Sequence, residues 1–195
     1  MMVDYTEFYD RLYPATDPCR HILWHHSRSV ARLACHINEQ LHLGIDPVQL
    51  ETAAMLHDIG ICGTNAAGLN CYGDRPYICH GVIGADIMRE TGAPEWAARV
   101  AERHTGTGIT PSLREILDLP LPADRNYMPE TLMEKVICYA DKFYSKSGDL
   151  KMKSLDRVRA SMARHGGDTL SRFEDLHRAF SSALANYAGY LHPIK

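Results

Sequence analysis

The chain has 195 residues, a formal net charge of −3 at pH 7, 45% hydrophobic residues and 23% charged residues. This composition is ordinary for a globular protein, and the length allows a core that buries roughly 70% of the unfolded surface. The weak negative charge gives no basic footprint, so we predict that duplex nucleic acid is not a partner. No apolar run reaches the roughly 18–20 residues that span a bilayer, and the first residues lack a signal-peptide pattern. We therefore expect a cytoplasmic protein without a membrane partner.

Helical periodicity recurs along the chain and strand signals are almost absent, which predicts an all-α fold. The first strong stripe has apolar residues spaced by three and four, at Ile22, Val30, Leu33, Ile37 and Leu41. His26 lies on this stripe, whereas His25 falls among polar and charged residues on another face. The helical phase therefore predicts that His26, and not His25, points into the core.

A second helix is predicted from the N-cap Asp46 to Gly60, with proline at its first position and Gln49 placed for a capping box. Its inward stripe leads to His57, which Asp58 follows directly. An unpaired polar group in a core costs roughly 1–3 kcal/mol, and a charge costs more. A bound metal ion would offset this penalty for both side chains.

Residues 61–79 have no helical stripe and contain several glycines, asparagines and a proline. A segment this long inside a compact domain is usually functional or disordered. It begins after Asp58 and ends before His80, so we expect it beside the metal ligands. Three of its side chains are candidate substrate contacts: Tyr72, Arg75 and Tyr77. A surface loop packed by its own tyrosines is an equally good interpretation.

His80 opens a third predicted helix, and Pro94 starts a fourth helix that carries His104 on its apolar face. Residues 105–110 contain two glycines and follow this histidine, so Thr105 is a further candidate substrate contact. A short helix is predicted from Ser112, with Glu115 completing a capping box. Asp141 lies in residues 130–147, a segment that is apolar on nearly every side and is therefore predicted to be buried.

The remaining residues predict a helix over 154–165 and a last helix capped by Asp168. The last helix has one apolar side, formed by Phe173, Leu176, Phe180, Leu184, Tyr187 and Leu191. This side covers the core or forms a dimer face, so monomer and homodimer both stay open. We predict one compact helical domain over residues 1–195, with its core at about 19–147 and a C-terminal helical extension at about 154–191.

None of the six cysteines forms a CxxC pair; they are Cys19, Cys35, Cys62, Cys71, Cys79 and Cys138. Free thiols in a reducing compartment are the main expectation. Cys62, Cys71 and Cys79 fall in one segment, which leaves a zinc knuckle or a regulatory disulfide as alternatives.

Six ligand candidates thus come from five predicted helices: His26, His57, Asp58, His80, His104 and Asp141. The order of their motifs resembles the HD-domain metal-dependent phosphohydrolases, in the His-Asp-Ile-Gly variant. The motifs are His26-Ser27-Arg28-Ser29-Val30-Ala31, Leu56-His57-Asp58-Ile59-Gly60, His80-Gly81-Val82-Ile83-Gly84-Ala85, Glu102-Arg103-His104-Thr105 and Ala140-Asp141-Lys142. The resemblance implies a helical bundle with a metal site in its core.

The resemblance implies two metal ions. The ligand types do not distinguish among Fe, Mn, Mg, Ni and Zn. The expected ligands of the first ion are His26, His57, Asp58 and Asp141, and those of the second are Asp58, His80 and His104. Paired ions can share and deprotonate a water that attacks a phosphate ester, with Asp58 bridging them. Lys142 and Arg103 are candidate catalytic cations for the phosphoryl oxygens.

The expected activity is that of a phosphomonoesterase or phosphodiesterase on a small phosphorylated substrate, with a nucleotide or dinucleotide favoured by the resemblance. Two alternatives use the same fold. One is a di-iron oxygenase, because histidine and carboxylate ligands also suit iron. The other is a nucleotide-sensing module without catalysis, which the intact ligand set disfavours.

Overall fold

Residues 3–147 and 151–187 are described by the computed structural model, and helices dominate these ranges. The predicted all-α fold is confirmed. Within the described ranges the α-helices are α1 Tyr5–Leu12, α2 Pro18–Gln40, α3 Pro47–Leu56, α4 His80–Glu90, α5 Glu95–Arg103, α6 Pro111–Ile116, α7 Leu132–Lys142, α8 Leu155–Arg164 and α9 Thr169–Phe180. No helix in this described part of the chain is long and apolar enough to cross a membrane.

The core forms where the longest helix, α2, packs on α3 and α7, and where α3 packs on α5. The carboxylate of Asp17 caps α2 by accepting a hydrogen bond from the Cys19 amide at 2.8 Å, and Pro18 occupies the first turn. The buried face of α2 follows the predicted helical phase, with Leu33 and Ile37 fully buried. His26 lies on this buried face, whereas His25 is exposed.

The predicted end of the second helix at Gly60 is wrong, because α3 ends at Leu56 and a 3-10 turn covers Ile59–Gly63. Asp58 leaves the helical conformation at φ −106° and ψ 7°. Gly60 serves a different purpose. A Cβ atom at this position would lie 2.2 Å from the Gly84 amide nitrogen and 2.3 Å from the His80 carbonyl oxygen. The missing side chain therefore lets this turn pack directly on the backbone of α4.

Residues 61–79, which we call the 61–79 segment, form short strands and 3-10 turns that helical periodicity does not predict. Two-residue strands, β1 Asn65–Ala66 and β2 Cys71–Tyr72, pair antiparallel, with Ala66 opposite Cys71. A 3-10 turn at Tyr77–Cys79 then leads into α4. The Thr64 and Gly73 backbones also hydrogen-bond across the segment. The segment is therefore pinned at both ends and along its middle.

The C-terminal helices differ from the prediction in small ways. Helix α6 is capped by the Thr110 hydroxyl, so it starts before the predicted Ser112. Helix α7 begins at a capping box formed by Thr131 and Glu134 and is shorter than the predicted 130–147. The apolar side of α9 packs on α7, where the Phe180 and Tyr139 rings lie 5.6 Å apart. Leu191 and the rest of residues 188–195 lie outside the described residues.

Candidate metal centre

Six buried side chains from five helices converge on one point of the core. His26 projects from the middle of α2, His57 and Asp58 follow the end of α3, and His80 is the first residue of α4. His104 follows the last residue of α5, and Asp141 lies one residue before the end of α7. All six are at most 8% exposed. The structure therefore brings together every ligand candidate that the sequence analysis named.

The first group of ligand atoms consists of His26 Nε2, His57 Nε2, Asp58 Oδ2 and Asp141 Oδ1. His26 Nε2 lies 3.1 Å from Asp58 Oδ2 and 3.0 Å from Asp141 Oδ1. His57 Nε2 lies 2.9 Å from Asp58 Oδ2 and 3.5 Å from Asp141 Oδ1. Four ligands about 2.1 Å from a shared ion would be separated by about 3.0–3.4 Å, so these separations suit a metal ion. We call this set the first group.

The second group uses the other oxygen of the same carboxylate. His80 Nε2 and His104 Nε2 each lie 3.4 Å from Asp58 Oδ1, and 3.1 Å from each other. Asp58 therefore presents one oxygen to each group. This is the arrangement that a carboxylate bridging two metal ions requires.

The protonation of the two histidines in the second group follows from their backbone contacts. His80 Nδ1 lies 2.6 Å from the Tyr77 carbonyl oxygen, and His104 Nδ1 lies 2.8 Å from that of Ala101. A carbonyl only accepts, so each Nδ1 carries the proton and each Nε2 presents a lone pair. Two lone pairs facing each other at 3.1 Å repel unless a cation lies between them. This geometry fits a metal ion, and the backbone contacts orient its ligands.

Burial and the close packing of ionisable side chains set the protonation states of the candidate metal ligands in both groups. Burial and the neighbouring His104 ring lower the pKa of His80 to about 3, and burial also lowers the pKa of His104. Burial opposes protonation of His57, but the Asp58 and Asp141 carboxylates outweigh it and raise its pKa to about 9. Burial raises the pKa of Asp58, yet His57 and Lys146 hold it well below its usual range. The neutral imidazoles of His80 and His104 and the ionised carboxylate of Asp58 are the forms that bind metals, whereas His57 would release its proton on binding an ion.

Several polar atoms of the site lack a hydrogen-bond partner among the described residues. They are His26 Nδ1 and both carboxylate oxygens of Asp58, which are completely buried. The Lys146 ammonium lies 2.7 Å from Asp58 Oδ2, but without the direction of a good hydrogen bond. Lys146 thus offsets part of the Asp58 charge, while the lone pairs without a hydrogen-bond donor stay free to bind a metal ion.

Two lysines, Lys142 and Lys146, flank the carboxylates, and Lys142 was predicted from the sequence. Lys142 Nζ lies 2.7 Å from Asp141 Oδ2 and donates to the His104 carbonyl oxygen at 3.0 Å. Lys146, which approaches Asp58, was not predicted. It lies four residues beyond the end of α7, so no helical phase relates it to Asp141. Its proximity to the site is a property of the tertiary structure alone.

Arg103 does not join this cluster, although it precedes His104 in the sequence. Its guanidinium donates to Glu130 at 2.6 Å and to Glu134 at 3.2 Å. Neighbouring residues on a helix point about 100° apart, which carries Arg103 into a separate ion-pair network. The prediction that Arg103 is a catalytic cation is therefore corrected: the structure places it in an ion-pair role.

Of the predicted substrate contacts, one lies directly on a ligand candidate. The Tyr77 ring stacks on the His80 ring, with 4.7 Å between centroids. Burial of its hydroxyl raises the pKa of Tyr77 to about 12, against the opposing charge of Lys146. Tyr72 is 75% exposed on β2, and Arg75 is exposed in the same segment. Thr105 is half-buried just after His104.

The cysteines of the 61–79 segment do not form a metal knuckle. Within the described residues, His, Cys, Asp and Glu atoms close enough to share an ion occur only in the two groups above, and neither contains a cysteine. All six cysteines are free thiols. Cys79 contacts the Pro120 carbonyl oxygen, while Cys71 contacts Cys19.

The HD-domain family model matches residues 23–145, which is more than half of the chain. This range contains all six ligand candidates. The chain therefore belongs to the HD-domain family, and the resemblance drawn from the motifs is confirmed.

Two archaeal relatives carry the name tRNA (cytidine(56)-2'-O)-methyltransferase. The protein of Thermoplasma volcanium is 34% identical over 163 residues, covering 83% of this chain and 43% of the relative. That of Picrophilus torridus is 33% identical over 129 residues, covering 66% of this chain and 33% of the relative. An uncharacterized protein of Methanocaldococcus jannaschii is 40% identical over 97 residues, half of this chain and 49% of that protein. The chain spans less than half the length of these curated relatives.

A solved structure shares the fold. The HD domain of the Listeria monocytogenes phosphodiesterase PgpH superposes with a TM-score of 0.51 and 16% identity, covering 93% of this chain and 99% of that one. At this identity the likeness establishes the helical HD fold and nothing finer.

Proposed function

We propose that this chain is a metal-dependent hydrolase of small phosphate esters, acting as a phosphomonoesterase or phosphodiesterase. The observation that carries the proposal is Asp58, a fully buried carboxylate that presents one oxygen to each of two ligand groups. A protein has no structural need for such an arrangement, because each lone pair would be cheaper to satisfy with a hydrogen bond. Two adjacent metal ions recur in phosphatases and nucleases, where they stabilise the attacking and leaving oxygens.

The first group would hold one ion through His26, His57, Asp58 and Asp141, and the second group would hold another through Asp58, His80 and His104. Bound ions would supply an activated water and neutralise charge on the phosphate. The chain itself would orient the ligands, since backbone carbonyls fix the His57, His80 and His104 rings. Lys142 would hold Asp141 in place through its contact with Oδ2.

Lys146 is the residue that we assign to the substrate phosphate. Its ammonium is largely buried beside Asp58 and keeps its charge, because the Asp58 carboxylate outweighs burial and raises the pKa of Lys146. A fixed cation at this position would meet the charge that develops on phosphoryl oxygens. The partly exposed Tyr77 ring beside it offers a flat apolar surface, which suits a nucleotide or dinucleotide.

Methyl transfer, which the names of two relatives state, does not enter this proposal, because the alignments with this chain cover only 43% and 33% of those relatives. We also propose that the chain forms one domain, since α9 packs on α7 in the described part, and that it is cytoplasmic. Sedimentation velocity distinguishes a monomer from a homodimer.

The decisive experiment is a panel of phosphate esters and nucleotides, assayed after reconstitution with single metal ions. We expect hydrolysis with two ions bound per chain. The His26→Ala variant should lose metal and activity, whereas His25→Ala should keep both, because His25 is exposed on the same helix. An oxygen-sensitive visible spectrum without hydrolysis would favour a di-iron oxygenase instead. Nucleotide binding without turnover would favour a sensing module.

A second measurement separates the role of Lys146 from that of the metal ligands. Lys146→Gln should lower turnover by about 100-fold with metal content unchanged, in the range found for single transition-state contacts. Lys135→Gln, on the N-terminal part of α7, is the matched control and should be silent. If Lys146→Gln released metal, the residue would support the ions and not the substrate.

A further inference from the structure

Two buried cysteines lie in contact although they are distant in sequence. Cys19 Sγ and Cys71 Sγ are 2.9 Å apart, with a sequence separation of 52 residues. Both are nearly inaccessible, with Cys19 fully buried and Cys71 5% exposed. A disulfide has an S–S bond of about 2.05 Å, so bond formation needs a sulfur movement of less than about 1 Å. In the described part of the chain no other two thiols hydrogen-bond each other.

The two cysteines connect elements that carry ligand candidates. Cys19 is the second residue of α2, and His26 follows it seven residues later on the same buried face. Cys71 opens β2 in the middle of the 61–79 segment, whose ends adjoin Asp58 and His80. A covalent link here would join the helix of the first group to the segment that leads into the second.

The surroundings of the two sulfurs make them unequal. The hydrogen bond with Cys19 lowers the pKa of Cys71, although burial opposes this. The same contact and burial raise the pKa of Cys19. Burial is the main cause that raises the pKa of both Cys35 and Cys138 to about 11. Cys71 is the one cysteine of the contact that is partly exposed, at 5%, and its lowered pKa favours the thiolate, which is the reactive form.

We propose that Cys19 and Cys71 form a redox modification site, in which a hydroperoxide converts the two neighbouring thiols into a buried disulfide. The Cys71 thiolate attacks one peroxide oxygen, the O–O bond breaks, and hydroxide (or alkoxide) leaves, giving a sulfenic acid. The Cys19 sulfur then attacks the Cys71 sulfur, the S–O bond breaks, and a second hydroxide leaves. The two thiol protons neutralise the leaving groups. For hydrogen peroxide the products are one disulfide and two waters, and the thiol pair supplies the two electrons.

The disulfide would stabilise the fold without using a metal ligand. It would close a long loop, which restricts the unfolded chain and anchors the 61–79 segment on α2. For a chain of this size we expect the melting temperature to rise by about 5–15 °C on oxidation and to return on reduction.

The test uses the wild-type protein, purified with reductant and then treated with a small excess of hydrogen peroxide. Free thiols are alkylated, and the bridged peptides are mapped by mass spectrometry without reduction. We expect four free thiols and one peptide pair joining Cys19 to Cys71, together with the rise in melting temperature. A Cys62–Cys71 bridge, or six free thiols at a peroxide concentration that oxidises Met side chains, would overturn the proposal.

Matched variants sharpen this result. Cys62→Ala keeps both members of the pair and should show the full rise in melting temperature, whereas Cys19→Ala should show none and should leave Cys71 as a sulfenic or sulfinic acid. If Cys19→Ala fails to fold, the wild-type peptide map decides alone. The outcome is independent of catalysis, because the map and the melting temperature are read without substrate and after chelation of metals.

Discussion

Two clusters of buried charged side chains lie next to each other in this fold, and their charges are satisfied in different ways. In an ion-pair network around Glu102, this carboxylate accepts hydrogen bonds from Arg89 on both oxygens and one from Arg125. In the candidate metal centre, neither oxygen of Asp58 accepts a well-directed hydrogen bond within the described residues. Buried charge alone therefore does not indicate a metal site. A metal site is indicated where buried lone pairs without hydrogen bonds converge on one point.

Helix α5 shows how close the two clusters are. Glu102 pairs with Arg89, Arg103 pairs with Glu134, and His104, the next residue, lies in the candidate metal centre. The turn of about 100° between neighbouring helical residues directs the three side chains to different surroundings. The ion pairs hold the helices together, whereas the Asp58 oxygens of the candidate metal centre lack a well-directed hydrogen bond within the described residues.

The largest expected effect comes from removing the shared carboxylate. Asp58→Asn should lower phosphate ester hydrolysis by more than about 100-fold and reduce metal content at both groups, because its oxygens face both. Metal analysis and turnover measure this. Asp86→Asn, a half-exposed carboxylate that pairs with Arg125, is the control and should keep its metals. Full metal content in Asp58→Asn would contradict the assignment of Asp58 as a ligand shared by two ions.

The network of Arg99, Arg103, Glu130 and Glu134 should respond in stability and not in metal binding. Glu134 is nearly buried between Arg99 and Arg103 and also completes the α7 capping box. Glu134→Gln should lower the free energy of unfolding by about 2–3 kcal/mol, because it removes a buried charge from both arginines while Glu130 still pairs with them. Denaturant unfolding measures the loss. The half-exposed Glu130→Gln is the control, expected below about 1 kcal/mol. Loss of metal from Glu134→Gln would show that the clusters are coupled.

Removing the metals tests the comparison from the other side. A chelator should lower the melting temperature by about 5–10 °C, because ions that bind only the folded state stabilise it. Asp58→Asn should show little further decrease on chelation, while Glu134→Gln should show the full decrease. Differential scanning calorimetry gives both values. An identical melting temperature before and after complete metal removal would contradict the proposal that bound ions stabilise the folded state at the candidate metal centre.

The smallest expected effect concerns the backbone contact that positions α4. A methyl group at Gly60 would meet the Gly84 amide and the His80 carbonyl, so Gly60→Ala should destabilise the fold by about 1–3 kcal/mol. It should also reduce the second ion more than the first, because His80 moves with α4. Gly68→Ala, where no atom lies within 4 Å of the added methyl, is the matched control. Equal losses of both ions would show that the position of α4 affects the two ligand groups alike.

Helical phase and capping were sufficient to predict much of this protein. The stripe of α2 predicts that His26 is buried and His25 exposed, and the N-cap Asp46 predicts where α3 begins. These are local properties, because a helix places each side chain by its position in a repeat of 3.6 residues. The six ligand candidates could be named for the same reason, and the family motifs grouped them.

The tertiary structure alone decided which charges meet. Lys146 reaches Asp58 from beyond the end of α7, Arg103 joins Glu134, and Cys19 meets Cys71. The short turns of the 61–79 segment and the close contact of Gly60 with α4 were likewise not predictable from periodicity. Such contacts join residues that are far apart in sequence, so they depend on how helices pack and where irregular segments lead. Local pattern determines the direction of a side chain, and packing determines what it meets.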